Sequence, residues 1–226
     1  MALPKVKEKE NMISDFNQIN LINQKLGYLL TKRVVDFVGG FAGLILLSPL
    51  FLIIAILIKL QDPRAAIFFR QERIGKDGRK FNMYKFRSMI TNAEELLEDL
   101  LEKNEISGAM FKMKDDPRIT KVGKFLRKSS FDEFPQLWNV IKGEMSLVGP
   151  RPPLPREVDE YDDHDKQRLT VIPGCTGLWQ ISGRNSLSFK EMVDLDLKYI
   201  FERNIWLDVK IILKTFLVLF GSKNAF

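Results

Sequence analysis

The chain is poor in the side chains on which many enzymes depend, with one cysteine and one histidine in 226 residues. A lone cysteine excludes an intrachain disulfide and fits a reducing compartment. So small a supply also argues against a zinc site or a Ser-His-Asp triad, which need more such residues or a histidine in a suitable setting. Cys175 reads as a small buried apolar residue. His164, inside the acidic stretch Asp159–Asp165, reads as a solvated surface group. Neither GxxxxGK followed by Ser or Thr nor GxGxxG occurs, so no glycine cradle for a phosphate is encoded. Internal repeats and low-complexity tracts are absent as well.

Positive charge, by contrast, is plentiful. A net charge of +6 and a pI near 9.3 favour anionic partners: nucleotides, nucleic acid or acidic headgroups. The length allows one substantial core with an appendage.

From Phe37 to Ile58 no side chain is charged. As a straight helix that run would reach about 33 Å at ~1.5 Å per residue, enough to cross a bilayer's hydrocarbon core. It starts too late, and lacks the cleavage site, for a signal peptide. Ser48-Pro49 falls at its middle, where proline removes an amide donor and crowds the preceding turn. Both flanks are basic, with Lys25, Lys32 and Arg33 before and Lys59, Arg64, Arg70 and Arg73 after. Such flanks prefer the cytoplasmic side, so a helix-break-helix that dips in and returns satisfies both ends at once. A kinked spanning helix is the alternative.

The rest of the chain mixes helices with one hairpin. Residues 1–12 read as disordered, and Ile19, Ile22 and Leu26 lie on one face of a surface helix. Alternation marks strands over Ala66–Gln71 and Lys80–Met89, joined at Gly75–Gly78. Thr91 with Glu94 forms a capping box before Leu96–Leu101, and Gly108–Thr120 is a loop. Phe131–Ile141 has helical spacing, with Ser130 and Glu133 as its cap. Alternatively, Pro135 opens the helix and the acidic pair Asp132-Glu133 lies just ahead of it. Pro150–Pro155 is stiff and extended, and Ser188 with Glu191 caps a further helix. Ile205–Phe220 is an apolar helix carrying Lys210 and Lys214, lying either in the headgroup layer or in the core.

The acidic pair is the best catalytic candidate. Its aromatic neighbours Phe131 and Phe134 tether it to buried structure, and Arg118, Arg127 and Arg151 are near in sequence to neutralise phosphates. Lys85 and Arg87 share one strand face and are further candidates. A carboxylate can attack phosphorus to give an acyl phosphate, and a second can hold Mg²⁺ against phosphate oxygens.

Motifs in order along Leu29–Phe226 resemble the bacterial sugar transferases, or monotopic phosphoglycosyl transferases. They are Lys32-Arg33-x-x-Asp36, Ser48-Pro49, Phe69-Arg70-Gln71-x-Arg73-Ile74-Gly75, Lys85-Phe86-Arg87-Ser88-Met89, Asp116-Pro117-Arg118-Ile119-Thr120 and Asp132-Glu133-x-Pro135-Gln136. Then come Ser146–Pro152, Pro173-Gly174-x-Thr176-Gly177-Leu178-Trp179-Gln180 and Ser182-Gly183-Arg184-Asn185. The resemblance implies transfer of a sugar phosphate from a UDP-sugar to polyprenyl (undecaprenyl) phosphate, with release of UMP. It makes Asp132 the nucleophile, Glu133 a Mg²⁺ ligand and Pro150-Arg151-Pro152 a uridine-binding turn. Lys85, Arg87, Arg118, Arg127 and Arg184 would contact substrate, and Ser48-Pro49 would break the membrane helix. The expected fold is α+β, mostly helical with a small β-hairpin. It has an N-terminal extension (1–30), a re-entrant membrane helix (31–60) and a single catalytic domain with interfacial amphipathic helices (61–226). The expected location is the cytoplasmic face of a bacterial inner membrane, with lipid but no nucleic acid as partner and a homodimer as one oligomeric option. A glycosyltransferase releasing UDP and a non-catalytic basic membrane adaptor are the rival readings.

Overall fold

The computed structural model describes residues 26–93, 95, 96, 100, 113, 115–183 and 187–221. Most of the N-terminal helix, Glu94 of the Thr91–Glu94 cap with most of the helix after it, and most of the loop before Asp116 lie outside them. The described residues are mostly helical, with two small sheets.

Helix α1 spans Leu26–Gln61 and continues through Pro49. The expected break is therefore not a break in helical structure. Proline at 49 deprives the Ile45 carbonyl of its amide partner, and the Ser48 hydroxyl donates to that carbonyl instead, at 2.7 Å. At ~1.5 Å per residue the helix is about 54 Å long, well beyond a bilayer's ~30 Å hydrocarbon thickness. It is long and apolar enough to cross a membrane, and only 11% of its most apolar window is buried.

One stripe of α1 faces inward at helical spacing: Asp36, Gly40, Ile54 and Ile58 are buried. Between them Gly43, Leu47 and Leu50 wall a cavity. The outer face is open, with Leu46 78% and Leu52 64% exposed. Polar contacts dock the N-terminal end. Lys32 pairs with Asp208 at 2.9 Å, and Asp36 accepts from the Ser146 hydroxyl and the Leu147 amide. Arg33 donates to the Val140 and Ile141 carbonyls, both at 2.6 Å. Apolar contacts dock the other end, where Ile54 and Ile58 pack with Phe86 and Leu126.

Strands β1 (Phe68–Ile74) and β2 (Lys80–Phe86) pair antiparallel from Phe68↔Phe86 to Ile74↔Lys80. β1 runs three residues past the expected end, and β2 stops three short of it. The turn between them needs positive φ at Asp77 and Gly78. Helix α2 (Lys121–Ser129), capped by the Thr120 hydroxyl on the Gly123 amide, lies against the end of β2. A Cβ on Gly123 would fall 1.9 Å from the Ser88 carbonyl oxygen, so only glycine permits that approach. One 3₁₀ turn (Phe131–Glu133) then leads into α3 (Gln136–Lys142).

β3 (Ser146–Val148) and β4 (Gly174–Thr176) form an unexpected parallel pair. Between them lie α4 (Pro155–Asp159) and a 3₁₀ stretch, Asp165–Thr170. α5 (Leu178–Ser182), α6 (Phe189–Glu202) and α7 (Ile205–Gly221) complete the order. Ser188 and Glu191 cap α6 as expected. Val148, Val193, Ile200 and Ile211 build a core between β3, α6 and α7. α7 has one side in the core, where Ile211 is buried, and one apolar side left open, where Trp206, Leu213 and Leu217 are 73%, 60% and 72% exposed.

Asn139, fully buried in α3, accepts from the Tyr84 amide and donates to the Asn82 carbonyl, imitating a missing ladder partner along β2. Replacing Asn139 with Ala strands both backbone groups. We expect a loss of about 2–4 kcal/mol, read as a lower melting temperature in detergent.

Candidate active site

The acidic pair sits in a deliberate bend of the chain. Ser130 ends α2 in the left-handed conformation (φ 57°), its amide donating to the Leu126 and Arg127 carbonyls. It gives no side-chain cap to the following turn, so the Ser130–Glu133 cap does not form. Pro135 instead opens α3, with Asp132 and Glu133 just ahead of it in the 3₁₀ turn. Phe131, edge-on to Phe125 and tilted against Phe134, pins the turn to the core shared with α1. Asp132 is left 7% exposed, and its carboxylate accepts no hydrogen bond from another described residue.

The two carboxylates meet different fields. Lys85 Nζ lies 2.7 Å from Glu133 Oε1. Burial pushes Glu133 up, but Lys85, Arg151 and Arg73 outweigh it and hold the carboxyl well below its ordinary range. For Asp132 burial prevails, and with Glu133 adjacent it lifts the pKa to about 6 against Lys85 and Arg127. Near neutral pH both are ionised, with Asp132 the more basic and less encumbered oxygen donor.

A cavity of about 1690 Å³ surrounds them, above the ~300–1000 Å³ usual for one small ligand. Lys85, Arg87, Arg118, Arg127 and Arg151 line it together with the pair. The sites expected from sequence therefore converge, but not in equal roles. Arg118 is committed to Asp116 through Nε and Nη2, at 2.7–3.2 Å, and to the Ala93 carbonyl. It acts as a brace for its loop. Arg127 donates from Nε to Ser88 Oγ, and Arg87 from Nε to the Ala66 carbonyl, both at 3.0 Å. The terminal nitrogens of both make no hydrogen bond or ion pair among the described residues, nor does the Arg151 guanidinium. Arg184 lies outside the described residues, and Ser48 and Pro49 belong to α1 rather than to the cavity wall.

The proline turn is held from two sides. Gly174 N donates to the Pro150 carbonyl and Gly149 N to the Thr176 carbonyl, both at 2.8 Å. Opposite, Arg73 Nη1 donates to the Pro152 carbonyl and Ile74 N to that of Pro153, both at 3.0 Å. A Cβ on Gly174 would meet the Gly149 amide at 2.0 Å, so the turn depends on this glycine. Pro152 and Cys175 border a small recess beside Glu133. Cys175 is half-buried, packed against the core of Met83, Val140 and Met145 while also lining the cavity, and burial pushes its thiol up.

Arg73 was not expected at the site. In the observed register Phe69, Gln71 and Arg73 share one hairpin face with Lys85, and all four line the cavity. Extending the alternation of β1 by two residues would have revealed it. Glu133 Oε2 makes no hydrogen bond among the described residues, so one carboxylate oxygen in the cavity can take a hard cation alongside phosphate oxygens. A separate group, Asp162, His164 and Asp165, has metal-like spacing at the surface, far in character from this enclosed site.

The model of the family described as "Bacterial sugar transferase" matches residues 27–222. Galactosyl transferase CpsE of Streptococcus agalactiae is 50% identical over 202 residues, 88% of this chain and 44% of that protein. Undecaprenyl-phosphate galactose phosphotransferase of Salmonella typhimurium is 42% identical, over 92% of this chain and 44% of its own length. The chain thus spans a little under half of these longer relatives. It covers 88% of exopolysaccharide production protein ExoY of Rhizobium meliloti, at 41% identity over 87% of this chain. With the family match over residues 27–222 and an acidic pair lining a cation-rich cavity, the chain belongs to the bacterial sugar transferase family.

Proposed function

We propose that this protein transfers a sugar phosphate from a UDP-sugar to polyprenyl phosphate at a membrane, through a covalent bond between Asp132 and phosphorus. The observation that carries this reading is the division of labour within the acidic pair. Asp132 is enclosed and unencumbered, while Glu133 is clamped by Lys85 amid Arg73 and Arg151.

In the first step an Asp132 oxygen attacks the sugar-bearing phosphorus. The bond from that phosphorus to the bridging oxygen breaks, and UMP leaves with the oxygen. In the second step an acceptor phosphate oxygen attacks the same phosphorus, the bond to Asp132 breaks, and a polyprenyl diphosphate sugar departs. Lys85, Arg127 and Arg151 offset the phosphate charge, and the Pro150-Arg151-Pro152 turn receives the uridine. Glu133 would hold Mg²⁺, which supplies further neutralisation of phosphate oxygens when bound.

The docking of α1 supports a re-entrant helix. Lys32, Arg33 and Asp36 fasten one end to the catalytic body, and Ile54 and Ile58 fasten the other to that same body. A helix spanning the bilayer would carry its two ends to opposite sides. In such a helix Ser48-Pro49 would mark a bend within continuous helical structure, at the cytoplasmic leaflet. The relatives' names point to surface glycans as the pathway's product. A sugar transfer that releases UDP would need no covalent enzyme and leaves the buried Asp132 without a task.

Enzyme quenched with UDP-sugar alone should carry a phospho-sugar on Asp132 by mass spectrometry, with stoichiometric UMP. Asp132→Asn should lose the adduct and slow UMP release by at least about 10³-fold. UDP in place of UMP would refute the scheme. The same variant should melt higher than wild type at pH 8, because ionising a buried carboxylate of raised pKa opposes folding. That gain should shrink as pH falls through 6.

Activity should also fall on the acid side. Protonation silences the nucleophile, so kcat/KM for the donor should drop tenfold per pH unit below about 6. Glu133, held far lower, should add no inflection in that window.

A further inference from the structure

Resting on the transfer reading above, we propose that Arg87 is the contact for the acceptor's phosphomonoester, distinct from the Arg151 side that receives the nucleotide. Double displacement at one phosphorus sets the problem. The leaving oxygen of UMP and the entering oxygen of the acceptor occupy the same apical position opposite Asp132. The phosphates carrying them can differ only in the direction they extend from it, so two directions need two cations.

The cavity offers both. Glu133 lies in the field of Lys85, Arg151 and Arg73, whereas Arg127 answers first to Asp132. Arg151 and Arg73 belong to the proline turn and β1, on the side where α4 and its Glu157 lie. Arg127 is therefore placed to touch the transferred phosphoryl in both steps. Arg87 stands on the α1 side. Its Nε is held by the carbonyl of Ala66, just beyond α1, and its guanidinium lies 5.9 Å over the Phe69 ring. The preceding residue, Phe86, packs edge-on to Phe51 of α1 at 5.0 Å. Nε and ring together fix the fork, leaving two terminal nitrogens without a partner among the described residues.

Apolar surface lines the same cavity, and Leu50 of α1 packs in one cluster with Phe86, the residue before Arg87. Gly43, Leu47 and Leu50 of α1 wall the same cavity, so a phosphate at Arg87 can carry a hydrocarbon chain along them. A nucleotide has no use for such a wall. Arg118 cannot take the role, since Asp116 engages its fork.

Ping-pong kinetics separate the half-reactions, because kcat/KM for each substrate reports its own step. Wild type, Arg87→Gln, Arg87→Lys, Arg127→Gln and Arg151→Gln would be assayed for UMP with UDP-sugar and polyprenyl phosphate each varied. Assays in neutral detergent free of phospholipid would be set beside assays in phosphatidylglycerol vesicles, and melting curves would show that each variant is folded. Arg87→Gln should lower acceptor kcat/KM about tenfold more than donor kcat/KM, the scale of one charge-assisted contact. Arg151→Gln should do the reverse, and Arg127→Gln should lower both together. Arg87→Lys should recover most of the acceptor value by restoring the charge.

Equal losses for donor and acceptor in Arg87→Gln would overturn the assignment while leaving the transfer reading intact. So would an effect confined to phosphatidylglycerol vesicles, which would make Arg87 a headgroup contact, or a failure of Arg87→Lys to recover. Absence of UMP from wild type would end the transfer reading itself, and this assignment with it.

Discussion

Two adjacent carboxylates in an enclosed site cannot both be charged unless something holds them so. Here the Lys85–Glu133 pair, at 2.7 Å, is the anchor. Removing one partner of this half-buried pair leaves the other less well compensated, so the loss exceeds what the pair contributes when intact. The fold is organised around supplying the cations. Lys85 comes from β2, Arg73 from β1, Arg151 from the proline turn and Arg127 from α2. Their neighbours arrive by close backbone approaches at Gly123 and Gly174 that no side chain would permit. With Glu133 satisfied, the field left at Asp132 is weak enough for burial to raise its pKa, and a more basic carboxylate is a better nucleophile.

The same economy of contacts fixes α1. Its polar end is joined to three elements of the site region: α7 through Asp208, α3 through two C-terminal carbonyls and β3 through Asp36. Asp208 also accepts from Tyr28 and lies 2.7 Å from the Tyr199 hydroxyl, itself 3.1 Å from the Val148 carbonyl. Val148 precedes the turn that carries Arg151. The motif Lys32-Arg33-x-x-Asp36 is thus a docking device, since none of its side chains lines the cavity. Any displacement of α1 would strain the elements bearing both the acidic pair and the proline turn.

Much of this was legible in the amino-acid order. The long uncharged run, the hairpin and its Gly75–Gly78 turn, the cap at Ser188 and the place of Pro135 ahead of α3 follow from local rules. Local chemistry carries them. Part of what escaped depends on contacts between distant segments, and part on local detail. Three-residue strands such as β3 and β4 have no periodicity to read, and their pairing rests on the Gly149–Gly174 approach. Arg73 escaped because β1 was ended at Gln71, one alternation too early. Arg118 looked like a phosphate ligand until Asp116, two residues away, was seen to engage it. The helix break at Ser48-Pro49 was over-read, since the serine hydroxyl mends the carbonyl that proline orphans.

Under the proposed transfer, an apolar wall joined to a cationic site would call for an anchor that keeps the site at one depth. A long-chain phosphate moves only within its leaflet, with its charge at headgroup depth. On that reading, a helix docked at both ends would hold Asp132 at a fixed height relative to that plane, and encounter would become a search in two dimensions with orientation already restricted. A flexible tether would restore the lost orientational freedom and forfeit that gain. On the same reading, docking of α1 by Arg33 and Asp36 would serve the reaction from outside the cavity, which neither residue lines.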